Sequence, residues 1–205
     1  NADVAMFRAK KRGSNSHVFY SQEMNQRSFE QFKLEGGLRR ASERGELHLL
    51  YQPQLDLASG RIAGAEALLR WQHPEHGLIP PARFIPVAEE TGMIVPLGRW
   101  SLREACAAVT GLESRIPAAR GLRLSVNLSV REFAQLDLVR AVAAILEETG
   151  LAPRQLQLEI TESAIIGQQH PALQTIAELR GLGVRIHLDD FGTGFGSLTE
   201  LRGMT

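Results

Sequence analysis

Ile186-His-Leu-Asp-Asp-Phe-Gly-Thr-Gly-Phe-Gly-Ser-Leu198 joins an apolar run to two adjacent carboxylates and then to a glycine-rich loop. The run over 184–188 reads as a strand. Gly192, Gly194 and Gly196 let the backbone take positive φ and approach a ligand closely. A strand that ends in Asp189-Asp190 and opens into such a loop suits a metal or phosphate site. Two unpaired carboxylates side by side repel each other, so a cation is their natural third party. Asp-Asp-Phe-Gly alone is equally compatible with a tight turn whose aspartates cap the next element. The neighbouring strands have to decide between the two.

Upstream of this stretch the chain keeps a regular period. A helix is predicted over 97–112 before a strand over 122–129. A helix over 131–149, closed by Gly150, precedes a strand over 156–161, and a helix over 171–182, followed by Gly183, leads to the strand over 184–189. Strand–helix alternation of this kind argues for parallel strands covered by helices. Earlier still, 47–57 and 61–71 read as two strands joined at Ala58-Ser-Gly60, a hairpin-like spacing that makes the first pair antiparallel. A helix is expected over 29–44, weakened at Gly36-Gly37 by roughly 1 kcal/mol per glycine. Residues 72–96, rich in proline and glycine, read as a long excursion of short helical pieces, and long ordered loops often carry function.

Residues 1–13 read as most of an amphipathic helix stopped by Gly13, and 17–20 as a short strand. Elements this small bury no core, so 1–20 are expected to belong to a domain whose body lies upstream, with the polar stretch 21–28 as linker.

Composition narrows the function classes. Hydrophobic content of 43% with 22% charged residues is that of an ordinary globular protein. Lys+Arg and Asp+Glu both number 23, so no bulk charge draws the chain to nucleic acid or membrane, and a polyanionic ligand would need local cations. The single cysteine, Cys106 in Glu-Ala-Cys-Ala-Ala-Val, excludes an intrachain disulfide and reads as a buried helix residue. No apolar run reaches the roughly 18 residues of a membrane span. The chain is therefore expected to be cytoplasmic, any membrane anchor of a longer parent lying elsewhere. His73 and His76 fall in the proline-rich segment and the other histidines are isolated, so no zinc spacing, Ser-His-Asp set or Walker loop is present.

Alternate side chains of a strand face opposite sides. Leu124, Val126 and Leu128 oppose Ser125, Asn127 and Ser129; Leu156, Leu158 and Ile160 oppose Gln157, Glu159 and Thr161; Val184, Ile186 and Leu188 oppose Arg185, His187 and Asp189. In the second strand, Ala63, Ala65, Ala67 and Leu69 oppose Glu66, Leu68 and Arg70. Four strands thus aim Glu66, Asn127, Glu159 and Asp189 at one side, a costly gathering of carboxylates unless a cation neutralises them. A polar second face fits the mouth of a (β/α) barrel, whose sites gather at the C-terminal strand ends, better than an open parallel sheet, which wants both faces apolar. Oxygen ligands alone suit Mg²⁺ or Mn²⁺ rather than Zn²⁺. Asp190 could serve a second metal, and two metals clamp both oxygens of a phosphodiester in line. Gln52 precedes Pro53 at the end of the first strand, and Arg70 stands on the Glu66 side, where a guanidinium would take a phosphate or base edge bidentately or form a surface salt bridge. Glu162 is placed to tie down a neighbouring loop.

Ala65-Glu-Ala-Leu-Leu-Arg-Trp71, Tyr51-Gln-Pro53, Ser125-Val-Asn-Leu-Ser129, Leu158-Glu-Ile-Thr-Glu162 and Asp189-Asp-Phe-Gly-Thr-Gly194 together closely resemble the EAL domain, a family of bacterial cyclic di-GMP phosphodiesterases. Residues 1–20, through Ala2-Asp-Val-Ala-Met-Phe-Arg-Ala-Lys10 and Gly13, resemble the tail of a GGDEF (diguanylate cyclase) domain. The resemblance implies an α/β fold, a TIM-like barrel of the EAL type with an antiparallel first strand, in a tandem GGDEF–EAL parent. It implies Glu66, Asn127, Glu159, Asp189 and Asp190 as metal ligands for two Mg²⁺ or Mn²⁺ ions, with Glu66, Asp189 and Asp190 catalytic. Gln52 and Arg70 are then the substrate contacts and Glu162 the loop anchor. The implied reaction is hydrolysis of cyclic di-GMP to linear pGpG. The implied partners are cyclic di-GMP, the upstream GGDEF domain and, as an option, a second copy in a homodimer; no nucleic-acid polymer is implied.

About five of the eight barrel strands are counted before Thr205, and the family's later lysine, glutamate and glutamine have no position in the sequence. The EAL part, 29–205, is therefore expected to be incomplete for catalysis by itself. An alternative is a cyclic di-GMP receptor without catalysis; the presence of Glu66, Glu159, Asp189 and Asp190 favours the enzyme.

Overall fold

A computed structural model of the chain describes residues 22–41, 43–161 and 169–189. Asp190, Glu162 and the GGDEF-like residues 1–20 lie outside the described residues. Helix α1 (Gln22–Ala41) leads into an antiparallel hairpin, β1 (Leu47–Leu55) and β2 (Ile62–His73), to which a short strand β3 (Gly77–Ile79) adds. Two helices, α2 (Pro81–Thr91) and α3 (Ile94–Arg115), carry the chain to β4 (Arg123–Leu128). A one-turn helix α4 (Val130–Phe133) and α5 (Leu138–Thr149) precede β5 (Leu156–Thr161), and α6 (Gln169–Gly181) precedes β6 (Arg185–Asp189). The sheet order is β1-β2-β4-β5-β6, with β2, β4, β5 and β6 parallel and only β1 and β3 reversed. This is the α/β partial barrel that the strand–helix period implies, with its antiparallel first strand.

Two apolar cores hold it. Leu124, Val126, Leu156, Leu158 and Ile160 turn from the sheet toward Leu102, Ala105 and Val109 of α3 and Val142 and Ile145 of α5. Fully burying a leucine contributes about 1.5–3 kcal/mol, so these strands are fixed by their outer faces, which frees the inner face for polar residues. Cys106 is wholly buried in this core, as expected, and burial pushes its thiol up to about 12. The second core surrounds Trp71, with Phe84 of α2 meeting its ring edge-on at 5.8 Å.

The sequence-based reading needs correction at three places. Residues 22–28, read as linker, are helical, so α1 starts well before residue 29. The Gly36-Gly37 pair does not break it, because Gly37 is where the helix meets Trp71: a Cβ there would stand 3.0 Å from the indole ring. The 72–96 excursion is more regular than expected. β2 runs on to His73, whose Nδ1 accepts from the N–H groups of Glu75 (3.1 Å) and His76 (3.3 Å), folding the chain back into β3 before one continuous α2. The helix over 131–149 is two helices. Ser129 and Glu132 form a capping box that starts α4. Arg99 of α3 then holds Asp137 at 2.5 Å, so α5 restarts just after that anchor.

Candidate active site

The register decides which side chains share the inner face. Gln52 opposes Glu66; Glu66 aligns with Ser125, Ser125 with Gln157, and Gln157 with Arg185. One step higher, Asn127 aligns with Glu159 and Glu159 with His187; Thr161 aligns with Asp189. Aligned residues of neighbouring strands point to the same side. Gln52, Glu66, Arg70, Asn127, Glu159 and Asp189 therefore occupy one face, as parity requires.

They also climb the sheet in a stair. Relative to Glu66, Asn127 and Glu159 each lie two positions up their strands and Asp189 lies four up, measured through the aligned residues Ser125, Gln157 and Arg185. A closed (β/α)₈ barrel is sheared by about one residue per strand. Tilting the strands by that shear brings the stair close to one level around the C-terminal mouth.

Contacts among these residues are specific. Asn127 Nδ2 donates to Glu66 Oε1 at 2.8 Å, so two of the expected ligands already touch across β2 and β4. Gln157 Nε2 donates to Glu159 Oε1 at 3.0 Å and to Ser125 Oγ at 2.9 Å. Ser125 Oγ also accepts from Gln54 Nε2 at 3.2 Å. Gln54 opposes Gly64 on β2, and with no side chain there it reaches across β2 to β4. Glu66 and Glu159 are half-buried, Asn127 and Asp189 exposed, and Ser125 and Gln157 buried. Among the described residues no three of His, Cys, Asp and Glu are drawn together as a metal cluster. Like charges keep apart, and two of the carboxylates are engaged separately, Glu66 by Asn127 and Glu159 by Gln157. The donor set of three carboxylates and an amide nevertheless fits a hard divalent cation in kind.

Arg70, half-buried, donates from Nη1 to the carbonyl oxygen of Leu69 at 2.9 Å. It lines a cleft of about 280 Å³ together with Asn127, Glu159 and Thr161, at the level where β2 and β4 have parted above Ala67. The same cleft reaches Glu132, which is 6% exposed. Burial pushes its carboxyl up to about 7; hydrogen bonds from Ser129 oppose that shift and Glu89 adds to it. Glu132 fits only because Gly98 faces it: a Cβ on Gly98 would stand 1.5 Å from Glu132 Oε1.

The EAL domain profile matches residues 35–205. The chain belongs to the EAL domain family. An uncharacterized signaling protein of Caulobacter vibrioides is 45% identical over 202 residues, covering 98% of this chain and 24% of that protein. The bifunctional diguanylate cyclase/cyclic di-GMP phosphodiesterase MucR of Pseudomonas aeruginosa is 43% identical over 205 residues, covering 98% and 29%. A solved structure of the PaMucR phosphodiesterase in complex with c-di-GMP superposes with a TM-score of 0.78 at 43% identity, covering 82% of this chain and 68% of that one. The chain thus spans a quarter to a third of the curated relatives it resembles.

Within this EAL domain, Gln54, Ser125, Gln157, Gly98 and Glu132 were not singled out from sequence. Their signals were nonetheless present. Ser125 and Gln157 sit on the polar parity of their strands, and Ser129-x-x-Glu132 is a capping-box pattern. Nothing in the sequence around Gly98 announces its contact with Glu132.

Proposed function

We propose that this chain belongs to the phosphodiesterase part of its full-length parent, which hydrolyses cyclic di-GMP to linear pGpG. The observation that carries the proposal is the stair of Glu66, Asn127, Glu159 and Asp189 on the inner face of the sheet, with Asn127 bonded to Glu66 at 2.8 Å. The 43% identity to a phosphodiesterase solved with c-di-GMP supports the same reading.

In this reading Glu66, Asn127, Glu159, Asp189 and Asp190 hold two Mg²⁺ or Mn²⁺ ions. Bound ions would supply a water of lowered pKa and offset the charge that builds on the phosphorus oxygens. The protein's own share is placement. Asn127 neutralises no charge but orients Glu66 through their hydrogen bond. Gln52, opposite Glu66, and Arg70, in the cleft beside Asn127, take the guanine edge and phosphate of the substrate, the guanidinium offering a bidentate fork. Glu162 anchors the loop after Asp190. In the same reading residues 1–20, by their sequence, end a GGDEF domain and 21–28 connect it to the EAL part, with a homodimer as an option.

Replacing Glu66 by alanine tests the reading. Mn²⁺ affinity measured by calorimetry and pGpG formation both fall together if the stair is the site. Unchanged cation affinity in Glu66→Ala would remove the basis of the proposal.

A further inference from the structure

We infer that Gln157 is a positioning residue that fixes which oxygen of Glu159 is offered to a cation, and thereby sets the site's preference for a small octahedral ion. The inference rests on the metal-site reading above. Gln157 is 7% exposed and has two amide protons; one goes to Ser125 Oγ at 2.9 Å and the other to Glu159 Oε1 at 3.0 Å. Ser125 is wholly buried and is gripped from the far side by Gln54 at 3.2 Å. The result is a continuous support from β1 across to β5, Gln54 to Ser125 to Gln157 to Glu159, whose last bond lands on one carboxylate oxygen only.

The consequence follows from coordination chemistry. With Oε1 engaged by the Gln157 amide, Oε2 is the Glu159 oxygen that Gln157 leaves unbonded, and a cation would be held there through one oxygen. Mg²⁺ and Mn²⁺ take tight octahedral sites with single-oxygen carboxylates, whereas Ca²⁺ accepts six to eight oxygens and readily takes both oxygens of one carboxylate. Releasing Oε1 lets Glu159 swing to two-oxygen binding. Groups that orient ligating side chains typically change metal affinity about 10- to 100-fold when removed.

The test is calorimetric titration of the protein, its Gln157→Met variant and its Ser125→Ala variant with Mn²⁺ and separately with Ca²⁺, with Glu159→Gln as reference and thermal melts of all four. Met fills the glutamine's volume without a donor. The expected result for Gln157→Met is a 10- to 100-fold loss of Mn²⁺ affinity, a smaller change for Ca²⁺, and so a fall in the Mn²⁺/Ca²⁺ ratio. Ser125→Ala shifts the ratio in the same direction by less. A Gln157→Met protein that melts lower but keeps the wild-type ratio would show a purely structural glutamine and overturn the inference. If Glu159→Gln itself leaves Mn²⁺ affinity unchanged, it is the metal-site reading that fails.

Discussion

Replacing Glu132 with glutamine should stabilise the protein at alkaline pH, although it removes a side chain that makes two hydrogen bonds. Glu132 Oε2 accepts from Ser129 N–H at 3.0 Å and from the Ser129 hydroxyl at 2.5 Å. Glutamine keeps an acceptor oxygen for both. What it removes is the charge, which is held with 6% exposure against Gly98. Burial raises this carboxyl from its ordinary 4.5 to about 7 in the folded protein. The native state therefore binds the proton more tightly than the unfolded chain. Its contribution is fully present below pH 4.5 and is lost as pH rises through 7. At about 1.4 kcal/mol per pH unit across that interval, the loss totals roughly 3 kcal/mol. Urea unfolding of the protein and of Glu132→Gln from pH 4 to pH 9 reads the difference directly. The two should nearly coincide at pH 4, with the variant gaining up to about 3 kcal/mol by pH 8. A stability difference that does not change with pH, or a variant less stable at pH 8, would refute the account of a strained buried charge.

Gly98→Ala should destabilise by about 1–3 kcal/mol through overpacking, since its Cβ would fall 1.5 Å from Glu132 Oε1. In a Glu132→Ala background the same change should cost little or even stabilise, as alanine favours helix; a double-mutant cycle with no coupling would contradict the contact. Gly36→Ala meets nothing within 4 Å and should stabilise α1 by roughly 1 kcal/mol. Gly37→Ala, 3.0 Å from the Trp71 ring, should give back that gain, and equal melting shifts for the two would show that α1 does not seat on Trp71.

Parity and period carried most of the fold and of the site into view. The alternation of Leu156-Gln-Leu-Glu-Ile-Thr161 places Glu159 inside because one face must be buried, and that requirement is local. Asn127 and Asp189 follow by the same rule. The readings that fell short depended on contacts between distant segments. Gly37 looked like a helix weakener because its benefit lies 34 residues away, on Trp71. The break between α4 and α5 depends on Arg99 reaching Asp137, 38 residues on. Gln157 was visible as polar and inward, but its bonds to Ser125 and Glu159 required the register. β3 escaped notice because a three-residue strand has no period of its own.

The most direct test of the central claim is chromatography of cyclic di-GMP after incubation with the full-length parent and Mn²⁺, beside its Glu66→Ala and Asp189→Asn variants. The proposed ligand stair predicts linear pGpG from the full-length parent and a loss of at least about a hundredfold in both variants. Cyclic di-GMP bound but recovered intact from a folded, Mn²⁺-loaded full-length parent would contradict it and make this EAL domain a receptor.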